Sequence, residues 1–171
     1  MDMETVMKMM LNSGALEQVS GMLGVDEKNA ETAIEYVMPM LLKGMQGQMS
    51  NKKTQDSFVQ ALLDHSQDDT ADLKKAVKNV DLTDGAKIVN HLLGAEQEEV
   101  AAKARKKSGL DTKTILKIMA ILAPILMSKM GKTAKTETAK SSSGDMFNVV
   151  GGLLDGVDAK DVVNILGMLM K

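Results

Sequence analysis

A chain of 171 residues that is 44% hydrophobic and 26% charged, with a net charge of −2, has the make-up of one globular domain, or of one domain with an appendage. That excludes wholesale disorder and a multi-span membrane protein. With 16 Met against one Tyr, two Phe and no Trp, aliphatic and thioether side chains must fill nearly all of the core.

The absence of Cys removes disulfides, thiolate nucleophiles and cysteine-based zinc sites together, and says nothing about the redox compartment. The opening stretch MDMETVMKMMLNSG places Asp2 and Glu4 before Lys8 and has no unbroken apolar run or small-residue cleavage site. It reads against a secretory leader, and a cytoplasmic location is expected. Among the 21 basic residues only Arg105 is arginine, and stacking aromatics are scarce. The bidentate forks and base platforms of a nucleic-acid reader are therefore nearly missing, and no nucleic-acid partner is expected.

Apolar residues recur at helical spacing, without a period-2 strand or a hairpin dipeptide, so the fold class is all-α and multi-helical. Helices are expected over about residues 2–12, 15–23, 26–48, 51–66, 70–79, 84–93, 95–108 and 111–131. In the seventh, Glu96, Glu98 and Glu99 precede Lys103, Arg105, Lys106 and Lys107. Acid first and base last complement the helix dipole, and Glu99 faces Lys103 one turn on, which marks a solvated helix rather than a polyanion site. The eighth holds the longest apolar run, Ile118 to Met127. It is short of the about 17 to 25 residues of a bilayer span and reads as the buried central helix of a bundle, so no membrane partner is expected.

Residues 132–144, KTAKTETAKSSSG, contain only Ala134 and Ala139 as apolar side chains and are expected to form a flexible linker. Residues 145–171 turn apolar again and are expected to form a tail of two short helices. Its large aliphatic groups must dock somewhere, on its own domain in preference to a second copy. The domain itself is taken as residues 1–131.

Three helix junctions share the form G-[VL]-D-x-K: Gly24 to Lys28, Gly109 to Lys113 and Gly156 to Lys160. Glycine can take the left-handed turn after one helix while Asp26, Asp111 or Asp158 caps the next. At an offset of 85 the likeness runs further, through Pro39 with Pro124, Leu41 with Leu126 and Met45 with Met130. This suggests a duplicated short-helix, long-helix unit over about 15–48 and 100–131, although an offset of 70 also matches Val19–Gly24 with Val89–Gly94. Each proline removes the partner of the carbonyl four residues back, at Glu35 and Ala120, and a kink is expected at both. Wrapping a core is the favoured use of such kinks; ligand binding by the freed carbonyls is the alternative.

The series Asp84-Gly85-Ala86-Lys87-Ile88-Val89-Asn90-His91-Leu92-Leu93-Gly94, then Ser108-Gly109-Leu110-Asp111, then Leu122-Ala123-Pro124-Ile125-Leu126-Met127 and Gly131-Lys132 resembles the bacterial domain-of-unknown-function family 937. A looser likeness is to YidB-type proteins. The close part covers about residues 84–132, with a weaker fit at Met22 to Leu42. The resemblance implies a bacterial multi-helical domain and brings with it no activity, cofactor or catalytic residue.

The residues themselves supply no catalytic motif: no H-E-x-x-H, no G-x-S-x-G and no Gly-rich phosphate loop. His65, within Leu63-Asp64-His65-Ser66-Gln67-Asp68-Asp69, could join a hydroxyl and carboxylates, but the segment reads more simply as a helix end. His91 is expected to be partly buried and bonded to a backbone carbonyl rather than to a metal. Asp68, Asp69 and Asp72 lack the glycine and closing Glu of a calcium loop and fit a helix start. Met7, Met9, Met10, Met38, Met40, Met127 and Met130 are read first as core filling, then as an adaptable partner surface, and last as a Cu(I) set. No catalytic, cofactor or metal residue is assigned. The expected role is a non-catalytic interaction or scaffold module that binds a protein partner or itself through apolar surface, with an envelope-associated module or an enzyme without a known motif as alternatives.

Overall fold

The computed structural model describes residues 3–140 and 146–155, and among these every regular element is a helix. In chain order they are α1 (Met3–Asn12), α2 (Ala15–Leu23), α3 (Glu27–Ser50), α4 (Gln55–His65), α5 (Leu73–Lys78), α6 (Leu82–Leu93), α7 (Glu96–Ser108), α8 (Thr112–Lys140) and α9 (Met146–Asp155).

The apolar run of α8 explains why the other helices gather around it. Ile118, Met119, Ala120, Ile121, Leu122, Ala123, Ile125, Leu126 and Met127 are all buried, a helix apolar on every side. It packs against α2, α3, α4, α5, α6, α7 and α9. By length and composition Thr112–Thr138 could cross a bilayer, but 78% of its apolar window is inside the protein, so its apolarity serves the core. Methionine does much of the filling: Met10, Met38, Met45, Met49, Met119, Met127 and Met130 are buried.

Glycines set the closest crossings. A Cβ on Gly85 of α6 would overlap the carbonyl oxygen of Ala120 in α8, and one on Gly131 of α8 would overlap that of Leu62 in α4. At Gly44 of α3 it would stand 2.8 Å from the Leu92 carbonyl oxygen of α6. Backbone meets backbone at these points, and no rotamer change can make room.

Pro39 and Pro124 both lie inside helices, each twelve residues after the first helical residue, Glu27 or Thr112. Gly24 and Gly109, which precede those helices, are both left-handed, with φ of 64° and 75°. The likeness of the two units is one of element order and punctuation. The Ala120 carbonyl, deprived of its helical donor by Pro124, faces the backbone of Gly85 rather than a cleft.

Helix caps follow the expected chemistry at some starts and not at others. The Thr114 amide donates to Asp111 at 2.7 Å, whereas Asp26, in the same motif, makes no side-chain cap bond and stays exposed. Asp158 lies outside the described residues. Asp72 accepts from the Lys75 amide, and Asp81 accepts from those of Thr83 and Asp84, so α6 begins at Leu82, earlier than expected. In contrast, α5 starts only at Leu73, because Thr70 is buried and bonded to Ser128 of α8.

The expected linker needs the larger correction. Residues 132–140 continue α8 as helix, and 141–145 lie outside the described residues. Ala134 is fully buried, Lys132 reaches back to Thr70, and Thr133 and Thr136 donate to the carbonyls one turn earlier. Once a helix is nucleated, each further residue adds a backbone bond at little cost, so one anchored alanine suffices where composition alone suggested a coil.

Gly85→Ala and Gly131→Ala should each lower unfolding stability by about 1–3 kcal/mol. Gly47→Ala, in α3 where a Cβ would meet nothing within 4 Å, should raise it by up to about 1 kcal/mol in the same denaturant titration. Hydrogen bonds from the Thr114 hydroxyl and then the Thr114 amide hold the Asp111 carboxyl below its ordinary pKa. A depressed carboxylate stabilises above its unfolded pKa and stops doing so as pH falls through the folded one. Asp111→Ala should therefore lower Tm at pH 7, with the difference closing in acid below pH 4, while Asp26→Ala leaves Tm nearly unchanged.

Candidate functional site

Among the described residues, two half-open clefts and one helix seat are surfaces that could carry function. The first cleft, about 330 Å3, lies where α4 ends and α6 begins, against Pro124 and Ile125 of α8. His65 sits in it with a carboxylate at each ring nitrogen: Nδ1 is 2.7 Å from Asp68 Oδ2, and Nε2 is 3.7 Å from Asp84 Oδ2. Asp69 and Asp81 complete an acidic wall.

Most of the charged groups here are already engaged within the fold. The Asp81 carboxylate caps α6, Asp69 accepts from the Ala71 amide, and Ser66 is buried with its hydroxyl donating to the Leu63 carbonyl. Ser66 is thus bonded away from His65, and the structure does not bring hydroxyl and imidazole together. Of Asp68, Asp69 and Asp72, it is Asp72 that caps a helix, α5, while Asp68 pairs with His65 and Asp69 accepts from the Ala71 amide ahead of α5. Among the described residues no group of three His, Asp or Glu side chains is placed to hold a metal ion.

From below, α8 grips the same loop. Ser128 shares a buried hydrogen bond of 3.0 Å with Thr70, and the Lys132 ammonium donates to the Asp68 carbonyl and to Thr70 Oγ1. These polar contacts, absent from the sequence reading, fix the wall of the cleft to the core.

The second cleft, about 380 Å3, is lined by Phe58, Ile88, Leu92 and Met127, with Gln48, Lys53, Thr54 and His91 at its edge. His91 corrects an expectation. It is exposed, and it is its backbone carbonyl that is engaged, accepting from Gln48 Nε2 at 2.9 Å. Position on a helix face near Ile88 suggested burial, but the imidazole lies on the rim.

The methionines singled out in the sequence pack into or against the core, and Met127 also lines the second cleft. Met10, Met38, Met127 and Met130 are buried, while Met7, Met9 and Met40 are partly buried against the core. Among the described residues only Met22 is a large, exposed apolar side chain, at 39%. The basic run of α7 behaves as a solvated face, with Lys103 paired to Glu99 at 2.8 Å and Arg105, Lys106 and Lys107 exposed.

The third surface is the seat of α9. This helix packs against α8, α3 and α4 and buries Val150 and Leu154 completely, with Val149 and Leu153 partly buried beside them. Aliphatic groups four residues apart on one face are the pattern of a helix lying in an apolar groove.

The sequence profile of a family of bacterial proteins of unknown function, DUF937, matches residues 5–133. The chain belongs to this family. No curated protein and no solved structure matches it. The DUF937 match spans α2 to α7 whole, nearly all of α1, and α8 as far as Thr133; it stops short of α9. Of the helices that form the seat, α3 and α4 lie within the match and α8 extends past its end, while α9 follows it.

Proposed function

We propose that this DUF937 chain is a non-catalytic interaction module whose working surface is the face of α3, α4 and α8 that receives a helix. One observation carries the reading: α9, outside the matched 5–133, is seated on the family domain by Val150 and Leu154. A domain that completes its surface with an added amphipathic helix has the shape and apolarity to take one in trans. Affinity in that mode comes from a few buried aliphatic anchors at helical spacing. Function in the acidic cleft is less well supported, because its carboxylates are engaged in capping and in holding His65.

Full-length protein carrying Val150→Asp and Leu154→Asp should release α9, remain helical by circular dichroism, and bind a fluorescent peptide of residues 145–156 that the unaltered chain takes up far more weakly. A folded variant with no peptide binding would refute the reading. Loss of the fold would refute it too, since α9 would then be part of the core rather than an occupant.

A further inference from the structure

The occupant of the seat carries a weakness that its packing does not require. Gly151 and Gly152 stand in the middle of α9, and a Cβ on either would meet nothing within 4 Å. At Gly85 and Gly131 a neighbour demands the glycine, because a Cβ would overlap backbone; Gly21 of α2 and Gly47 of α3 are as unconstrained as those of α9 but stand singly, whereas Gly151 and Gly152 adjoin in a helix of ten residues. No described residue makes such a demand in α9. Each glycine in place of alanine lowers helix formation about fivefold, so the pair holds α9 at least about tenfold below what the same helix could reach.

We propose that α9 is a latch set to yield to an amphipathic helix of another protein, one with aliphatic side chains four residues apart, as at Val150 and Leu154, and without internal glycines. The proposal rests on the reading of the α3, α4 and α8 face as a helix-docking site. A second copy of this chain is the poorer occupant. Its α9 has the same glycine pair and arrives from bulk solution, whereas the resident α9 is tethered at an effective concentration on the order of millimolar. A glycine-free helix gains what α9 forgoes, so a tenfold gain lets it match the tethered α9 at about a tenth of that effective concentration. In this way the chain keeps its apolar face covered until a better-formed helix arrives.

The experiment uses the full-length chain and two labelled peptides of residues 145–156, one with the native sequence and one with Gly151→Ala and Gly152→Ala, followed by fluorescence anisotropy. The alanine peptide should bind at least about tenfold more tightly than the native one. The chain with Gly151→Ala and Gly152→Ala in its own α9 should take the alanine peptide about tenfold more weakly than the unaltered chain. Equal affinity of the two chains for that peptide would overturn the latch, even with the docking reading intact. Absence of peptide binding to the Val150→Asp, Leu154→Asp chain would instead remove the docking site itself. A stable dimer by light scattering that dissociates when Val150 and Leu154 are replaced would make a second copy the occupant and overturn the assignment of a separate partner.

Discussion

The architecture depends on how closely α6 and α4 approach α8. Where Pro124 deprives the Ala120 carbonyl of its helical donor, Gly85 lets the α6 backbone lie against that oxygen, and further along α8 Gly131 lies against the Leu62 carbonyl of α4. Two neighbours thus pack on α8 at backbone distance. Their side chains interdigitate beside the crossings, which is how a core with few aromatic rings reaches full burial at Ile118, Met119, Ile121 and Leu122. Methionine suits the irregular gaps left by such crossings because its unbranched chain adapts to their shape.

The same geometry sets out the surface. With α4 held at Gly131, its C-terminal end and the following loop come over α8, and Thr70, Ser128 and Lys132 close the contact. The acidic cleft around His65 follows from this docking, its carboxylates placed by helix ends rather than around a reacting group. On α8, α3 and α4 a face remains that the family domain does not cover for itself, and α9 lies there.

Much of this was legible in the residues. The all-α class, the central place of Ile118–Met127 and the left-handed turns at Gly24 and Gly109 follow from periodicity and capping grammar, which are local properties of the chain. The family was legible in a different way, through resemblance: the series around Asp84–Gly94 and Leu122–Met127 that resembles it lies within the matched 5–133. The misses are of tertiary origin. Composition made 132–144 a linker, yet burial of Ala134 and the reach of Lys132 to Thr70 keep 132–140 helical. His91 lies near Ile88 on a helical face, but where that face ends at the rim depends on its neighbours. Asp26 and Asp111 share one motif and differ in capping, a difference motif reading does not register. For the seat of α9 the available signal was the pairing of Val149, Val150, Leu153 and Leu154 after the matched domain. For the crossings it was glycine inside otherwise helical apolar patterns at 85 and 131.

The central claim is that α8 is the fixed hub and α9 a separable occupant, and native-state hydrogen exchange on the full-length chain tests it most directly. Amides of α8 between Ile115 and Met130 should exchange only through global unfolding, with a denaturant dependence equal to that of the whole protein. Those of α9 should exchange far faster, through a local opening that leaves α3, α4 and α8 protected. Protection of α9 equal to that of α8, lost only with the entire fold, would contradict the account.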